Sequence, residues 1–346
     1  MKIKIVKVTM VLSFGEILLR LAPDAGGEWI NRNALNVYTG GAELNVASAL
    51  ARWRVPVSYC TAMPDNFLSA QLIKSIQTQN IYTSTIIYTG NKIGLYYLLQ
   101  GKEIKHEALI YDRLNSSFSE LKTGMINWDE VLTGIRWFHF SAIAPALNQN
   151  VASVCKEALL ACAKKSITVS VDLNHRSKLW QYGKEANEIM PELLQYCDIV
   201  MGNIWSAETM LNIIVPQNIH AINTKENYLK QAKKTSEEII NQFPKCKIVA
   251  NTFRFDKENI EYYGTVFSSN NLYVSASYTT DEVIDRVGSG DCFMAGLIYG
   301  VYNHLPFQQI INFATAAGFQ KLFIKGDFTD KTVEEINLFI QKMHKK

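Results

Sequence analysis

Asp285-Arg286-Val287-Gly288-Ser289-Gly290-Asp291 runs straight into the apolar stretch Cys292-Phe293-Met294-Ala295-Gly296-Leu297-Ile298. Two glycines one residue apart, then an acid, then residues suited to a buried helix, read as a loop entering a helix N-terminus. The backbone N–H groups of Gly288 to Asp291 then lack intrahelical partners and point outward with the positive end of the helix dipole. Such a terminus is an anion hole, and a transferring phosphoryl group is its natural occupant. Asp291 stands where its carboxylate can take the proton of an attacking hydroxyl, as the catalytic-loop aspartate does in protein kinases. The plainer alternative is an acid capping a helix behind a glycine turn, and a short glycine motif alone does not separate the two.

Upstream, Ile3 to Ser13 is rich in Ile, Val and Leu and ends at Phe14-Gly15-Glu16, as a buried parallel strand ends at a turn. Glu16 therefore lies where open α/β sheets place ligands, or is a solvated turn acid. Residues 17–38, with Gly26-Gly27 and scattered Asn, read as short strands and turns. Tyr38-Thr39-Gly40-Gly41-Ala42-Glu43-Leu44-Asn45 then leads into an Ala-rich helical run. A glycine pair lets backbone approach a ligand closely, and the Asn45 amide can both donate to and accept from sugar hydroxyls. Leu68 to Gln79 has helical spacing, whereas Tyr82 to Tyr88 and Leu95 to Leu99 favour strand. Strands are also expected at Ile135 to Ala142, Ile167 to Asp172, Cys197 to Gly202 and Lys247 to Arg254, and β structure over Asn259 to Tyr278. Helices are expected at Asn150 to Lys164, Lys225 to Phe243, Phe307 to Lys321 and Thr332 to Lys342. The alternation predicts an α/β fold with a mainly parallel sheet.

The early Gly-Gly-x-x-x-Asn (Gly40, Gly41, Asn45) and the late Gly-x-Gly-Asp opening a helix, in this order, resemble the PfkB (ribokinase-like) carbohydrate kinases. The resemblance runs from about residue 11 to about residue 335. It implies one domain over residues 1–346, a three-layer α/β/α core with a small β-sheet lid from segments 17–38 and 84–113. It assigns Gly40, Gly41 and Asn45 to a sugar, Asp291 to the general base, and Gly288, Ser289 and Gly290 to the anion hole, the two glycines also touching nucleotide. ATP and Mg²⁺ are the implied cofactors, with a monovalent cation as a further one. The lid is the face through which a homo-oligomer would form.

Three further stretches resemble the 2-keto-3-deoxygluconate kinases within that family. Gly94-Leu95-Tyr96 and Tyr111-Asp112-Arg113 match lid segments, which implies Tyr96, Tyr111 and Arg113 on the substrate; the alternative is an exposed hairpin with a surface Arg. Asp172-Leu173-Asn174-His175-Arg176, followed by Leu179-Trp180, implies Arg176 on the substrate as well. Lys325-Gly326-Asp327-Phe328 puts Asp327 near the site. Two guanidinium groups suit a carboxylate, since each forms paired hydrogen bonds to it and a neutral ketose needs neither. The expected reaction is ATP-dependent phosphorylation of a sugar-acid hydroxyl, 2-keto-3-deoxygluconate to its 6-phosphate. The alternatives are a fructokinase- or ribokinase-like enzyme for a neutral sugar, and a catalytically silent sugar-binding protein on the same fold.

Departures concentrate on the nucleotide side. Arg286 stands where many members carry Thr, a variant associated with the keto-deoxygluconate group. Asn203 begins the family's Asn-x-x-Glu, but Ser206 fills the Glu place and Glu208 comes two residues later. Thr252-Phe253-Arg254 replaces Thr-x-Gly beside the nucleotide phosphates, so Arg254 either contacts phosphate or is a surface charge. Ala314, Ala316, Ala317 and Gly318 either lie against an adenine or serve close helix packing.

Composition limits the rest. A hydrophobic fraction of 48% in 346 residues is ample for a core, and the net charge of +3 is spread without a basic block. Nucleic acid and membrane partners are therefore not expected. The six cysteines have no metal-ligand spacing and sit mostly in apolar runs, as reduced thiols of a cytoplasmic protein do. Lys2 to Leu12 is basic and then apolar, but no small-residue cleavage site follows, so a signal peptide is not expected.

Overall fold

Val11 and Leu12 are both completely buried although they point to opposite faces of the strand Met10–Phe14. Burial on both faces requires a layer of structure on each side of the sheet. The computed structural model describes residues 9–23, 29–30, 34–98, 109–220, 224–256 and 258–343. Residues 3–8 of the expected first strand and Leu99 lie outside them.

Among the described residues the main sheet has ten strands. In spatial order they are Asn271–Val274, Ile260–Ser268, Ile248–Asp256, Ile199–Gly202, Thr168–Asp172, Ile135–Ser141, Met10–Phe14, Val57–Cys60 and Ile81–Tyr82, with Tyr278–Thr280 also on Ile260–Ser268. The strands from Ile81–Tyr82 through Ile248–Asp256 run parallel, and the outermost ones are antiparallel. Leu12, Phe14, Phe138, Phe140, Val169 and Val171 share one core with the helices Gln149–Lys164 and Ala186–Leu194. Val11, Trp137, Ile199 and Met201 share the other with Ala42–Arg52, Ser289–Tyr302 and Phe307–Lys321. The three-layer α/β/α arrangement follows from this period-two division. In Ser289–Tyr302, Phe293, Met294, Leu297 and Ile298 are all fully buried, each worth roughly 1.5–3 kcal/mol relative to exposure.

Met10–Phe14 lies between Ile135–Ser141 and Val57–Cys60, so the chain leaves it in both directions along the sheet. Such a reversal opens a crevice at the carboxyl ends of the strands, where α/β proteins bind ligands. A second sheet, with four strands among the described residues, covers part of it, in the order Asn36–Gly40, Leu18–Ala22, Gly94–Tyr97, Ile110–Asp112.

Several expectations change in detail. Tyr82 to Tyr88 is not one strand: Ile81–Tyr82 extends the main sheet, while Ile87–Tyr88 pairs with Ala62–Met63 in a separate ladder. Polar residues 83–85 make the break, with the Thr85 hydroxyl donating to Tyr59 O at 2.9 Å. The second lid segment therefore contributes strands from Gly94 onward rather than from residue 84. The strand expected to end at Arg254 continues to Asp256, because its pairing with Ile260–Ser268 runs to the turn. Ala314, Ala316 and Ala317 are at most 1% exposed and packed in the core beside Ser289–Tyr302. The adenine reading of that stripe is thereby corrected to close helix packing.

Candidate active site

The helix Ser289–Tyr302 begins at its cap Gly288, whose φ of 81° and ψ of −3° are left-handed. A β-carbon there would lie 2.2 Å from the Asp327 carbonyl oxygen, so only glycine fits. The N–H groups of Ser289, Gly290 and Asp291 form the first turn, and Cys292 N–H is the first to bond back, to Gly288 O at 2.8 Å. A β-carbon at Gly290 would meet nothing within 4 Å, which leaves room for an anion over these amides. The Ser289 hydroxyl turns away and donates to Gly318 O at 2.8 Å, so Ser289 offers the cleft its backbone.

Asp291 is 7% exposed and accepts a hydrogen bond from the Asn45 amide at 2.6 Å. Burial raises its carboxyl to about 6, against the lowering influence of Asn45 and Arg176. Two cavities meet here. The larger, ≈ 1030 Å³ including its open mouth, is bordered by Asn203, Thr252, Arg254, Arg286, Gly288, Ser289, Gly290 and Asp172. The smaller, ≈ 480 Å³, is bordered by Glu16, Gly41, Glu43, Asn45, Tyr96, Tyr111 and Arg113. Asp291, Arg176 and Asn174 line both.

The expected residues thus gather in two groups around Asp291, with two exceptions. Gly40 and Asp327 border neither cavity. Gly40 instead makes room for the Asp327 carboxylate, whose oxygen would sit 2.2 Å from a β-carbon at Gly40. Asp327 accepts from the Arg20 Nε at 2.9 Å and from the Tyr96 hydroxyl at 2.7 Å. Arg20 also reaches Asp285 at 2.7 Å, all three charges being at most 3% exposed. A fully buried arginine thereby ties the strand Leu18–Ala22 of the second sheet to the loop that precedes the helix Ser289–Tyr302.

Arg113 is also not the uncompensated cation expected of it. Its Nε donates to Glu16 Oε2 at 2.6 Å and both side chains are buried, so Glu16 is neither a solvated turn acid nor free. The other Glu16 oxygen, Oε1, is buried with no hydrogen-bond partner among the described residues and can accept from a ligand hydroxyl. Arg176 is half-buried; its Nη1 donates to His175 O at 3.1 Å and its Nε has no partner among the described residues.

On the other side of the junction, Asn203 caps the helix Ile204–Leu211 by accepting from Ser206 N–H at 2.8 Å. Glu208 does not stand in for the missing Glu: its carboxylate accepts from Val215 N–H at 3.2 Å, and it borders neither cavity. Arg254 and Arg286 both approach Asp256, at 3.8 and 3.7 Å, and both border the larger cavity.

Two buried acids that border these cavities went unassigned in the sequence. Asp172 is raised to about 8 by burial and by the charge of Asp291. Glu43 is raised to about 7 by burial, opposed by the Ser141 hydroxyl and N–H groups that donate to it. The signal for Glu43 was an acid beside Asn45 in the first turn of an Ala-rich helix. Among the described residues no group of three or more His, Cys, Asp or Glu side chains could hold a metal ion, and no helix is long and apolar enough to cross a membrane.

The family model for pfkB family carbohydrate kinases matches residues 8–250 and 256–329. The crystal structure of a 2-dehydro-3-deoxygluconokinase from Thermotoga maritima superposes with a TM-score of 0.87 at 32% identity, over 96% of this chain and 99% of that one. A 2-dehydro-3-deoxygalactonokinase of Haloferax volcanii is 24% identical over 326 residues, 94% of this chain and 95% of the relative. The fold is shared with a putative ribokinase II from E. coli in complex with ATP and Mg²⁺, with a TM-score of 0.78 at 17% identity over 96% and 99% of the two chains.

Proposed function

This chain belongs to the pfkB family of carbohydrate kinases, and from that membership we propose that it phosphorylates a 2-keto-3-deoxy sugar acid with ATP, converting 2-keto-3-deoxygluconate to its 6-phosphate. The observation that carries the reading is the wall common to both cavities, where Asp291 and Arg176 stand. A donor in the larger cavity and an acceptor in the smaller one would meet at Asp291.

Asp291 takes the proton from the terminal hydroxyl, with its Oδ2 oriented by Asn45. Positioned proton transfer of this kind is typically worth about 10²–10⁴ in rate. The first-turn N–H groups receive the charge of the transferred phosphoryl oxygens and need no reorganisation to do so. Arg254 and Arg286 face the remaining phosphates, and Thr252 and Asn203 border them. Mg²⁺, when bound, neutralises phosphate charge. It would fit this donor set, because magnesium is held by one or two carboxylates plus substrate phosphates rather than by a protein cage, and Asp172 would supply such a carboxylate once the cation's charge displaces the proton that burial retains. In the smaller cavity Arg176 holds the substrate carboxylate, and Gly41, Tyr96, Tyr111 and the Glu16–Arg113 pair surround its hydroxyls. Gly40 and Asp327 support this wall from behind. The lid closes over the acceptor and excludes water.

The name of the Haloferax relative motivates a second reading, the galacto epimer of the same keto-acid. Residues 1–346 act as a single kinase domain on this reading, in the cytoplasm, where six buried free thiols stay reduced. Val37 and Ile110, exposed on lid strands, support self-association through the lid. A monovalent cation, the remaining expected cofactor, is tested by comparing turnover in KCl with turnover in tetramethylammonium chloride. The test is ADP release with 2-keto-3-deoxygluconate, 2-keto-3-deoxygalactonate, fructose and ribose. Keto-acids are expected to be turned over best. Preference for fructose or ribose would make it a neutral-sugar kinase, and no ADP release with sugar binding retained would make it a silent binder.

A further inference from the structure

Lys321 is the last residue of the helix Phe307–Lys321 and is completely buried. A lysine is almost never so placed without partners, because removing an ammonium from water is costly. Its Nζ donates to two backbone carbonyls of the turn that follows, Gly326 at 2.7 Å and Ile324 at 3.0 Å. Burial lowers its pKa, and the carboxylates of Asp285 and Asp327 oppose that. With Arg20 the cluster holds two positive and two negative charges, so it is balanced only while Lys321 is present.

The turn that Lys321 holds is laced to the catalytic loop. Ile284 and Asp285 N–H groups both donate to Leu322 O, at 2.9 and 3.1 Å, and Gly326 N–H donates to Asp285 Oδ2 at 3.2 Å. The Asp327 carbonyl abuts Gly288, and Lys321 Cε lies 3.4 Å from the place a Gly288 β-carbon would take. A cation in an oxygen cage therefore sits directly behind the cap of the anion-hole helix. Backbone carbonyls of this kind are also the chemistry that binds K⁺ in place of its hydration shell.

We infer that the Lys321 ammonium is a tethered cation that fixes the 322–327 turn, and through it the Gly288 cap, so that this enzyme needs no free alkali ion. Lys321 is a positioning residue: it touches neither cavity and acts through the backbone of the catalytic loop. Removing the ammonium leaves two carbonyls without their donor and the cluster with one excess negative charge. A free K⁺ or ammonium ion is the species that can replace both functions.

The experiment compares the intact chain with Lys321→Met and Lys321→Gln in KCl, NH₄Cl and tetramethylammonium chloride at equal ionic strength. The wild type is expected to show the same kcat and melting temperature in all three salts. Each variant is expected to lose about tenfold or more in kcat in tetramethylammonium, a smaller loss than the 10²–10³ of removing a direct oxyanion donor. Substrate KM should change by less than about threefold, since the loss is of transition-state stabilisation. KCl or NH₄Cl should restore much of the rate and raise the variants' melting temperature. Melting does not depend on which sugar acid is the substrate, so its failure and a failure of the substrate assignment are separable. The inference is overturned if K⁺ activates the wild type several-fold, if a folded variant turns over normally in tetramethylammonium, or if neither K⁺ nor ammonium restores rate or melting. Should both variants fail to fold in tetramethylammonium, recovery of the fold in KCl or NH₄Cl supports it and its absence overturns it.

Discussion

Replacing Arg176 by Met separates a sugar-acid kinase from a neutral-sugar kinase. Arg113 is neutralised by Glu16 at 2.6 Å, which leaves Arg176 as the guanidinium on the common wall that can meet a substrate carboxylate. Hydrogen bonds to a charged group contribute about 1.5–3 kcal/mol, and half-exposure moves Arg176 toward the lower part of that range. A loss of roughly 2 kcal/mol corresponds to about 30-fold in kcat/KM. Met keeps most of the side-chain length, so packing around the stem is disturbed little. The assay is coupled ADP release at saturating ATP, with 2-keto-3-deoxygluconate and with fructose as the slow comparison substrate. The keto-acid value should fall by that factor, while the fructose value changes less than about threefold. A parallel loss on both substrates with unchanged melting would refute the assignment, as would an unaffected keto-acid value. A rise confined to the KM for ATP would place Arg176 on the nucleotide side of the wall.

Asp291→Asn should lower kcat by about 10²–10⁴ with nucleotide affinity within a few-fold, measured by turnover and calorimetric titration; near-normal kcat would reduce Asp291 to a helix cap. Arg113→Met should destabilise the fold by about 3–5 kcal/mol in urea melts, because Glu16 is left buried and charged, and adding Glu16→Gln should recover most of it. Equal stability of single and double variants would contradict that. Asp172→Asn should stabilise the free protein increasingly from acid to pH 8. The Asp172 carboxyl lies near 8 in the folded state against 3.8 when unperturbed, so its stability is fully present below about 3.8 and lost as pH rises toward 8. The gain is roughly 3–6 kcal/mol at pH 8 if Asp172 alone accounts for that shift; a melting difference that does not grow with pH would show that its environment is more polar than its burial suggests.

The local features of this chain were legible without coordinates because they follow from near neighbours in sequence. Strand and helix periods, the glycine-framed start of Ser289–Tyr302 and the Asn45 helix depend on side-chain alternation and backbone freedom within a few residues. Even there, Tyr82 to Tyr88 misled, since a run of β-formers does not say which partner strand each half will find. The motif resemblance supplied the activity class and the two groups of site residues, which composition and spacing could not. Tertiary structure alone decided how the charges are shared. Arg113 reads in sequence as a cation seeking a ligand, yet Glu16, 97 positions away, already pairs with it. Asp327 is held by Arg20 across 307 positions, and no local pattern marks Lys321 as buried beneath Gly288. The physical reason is that an ion pair's strength and a carboxyl's pKa depend on desolvation and on charges a few ångströms away. Those distances are set only when sheet, lid and helices close on one another.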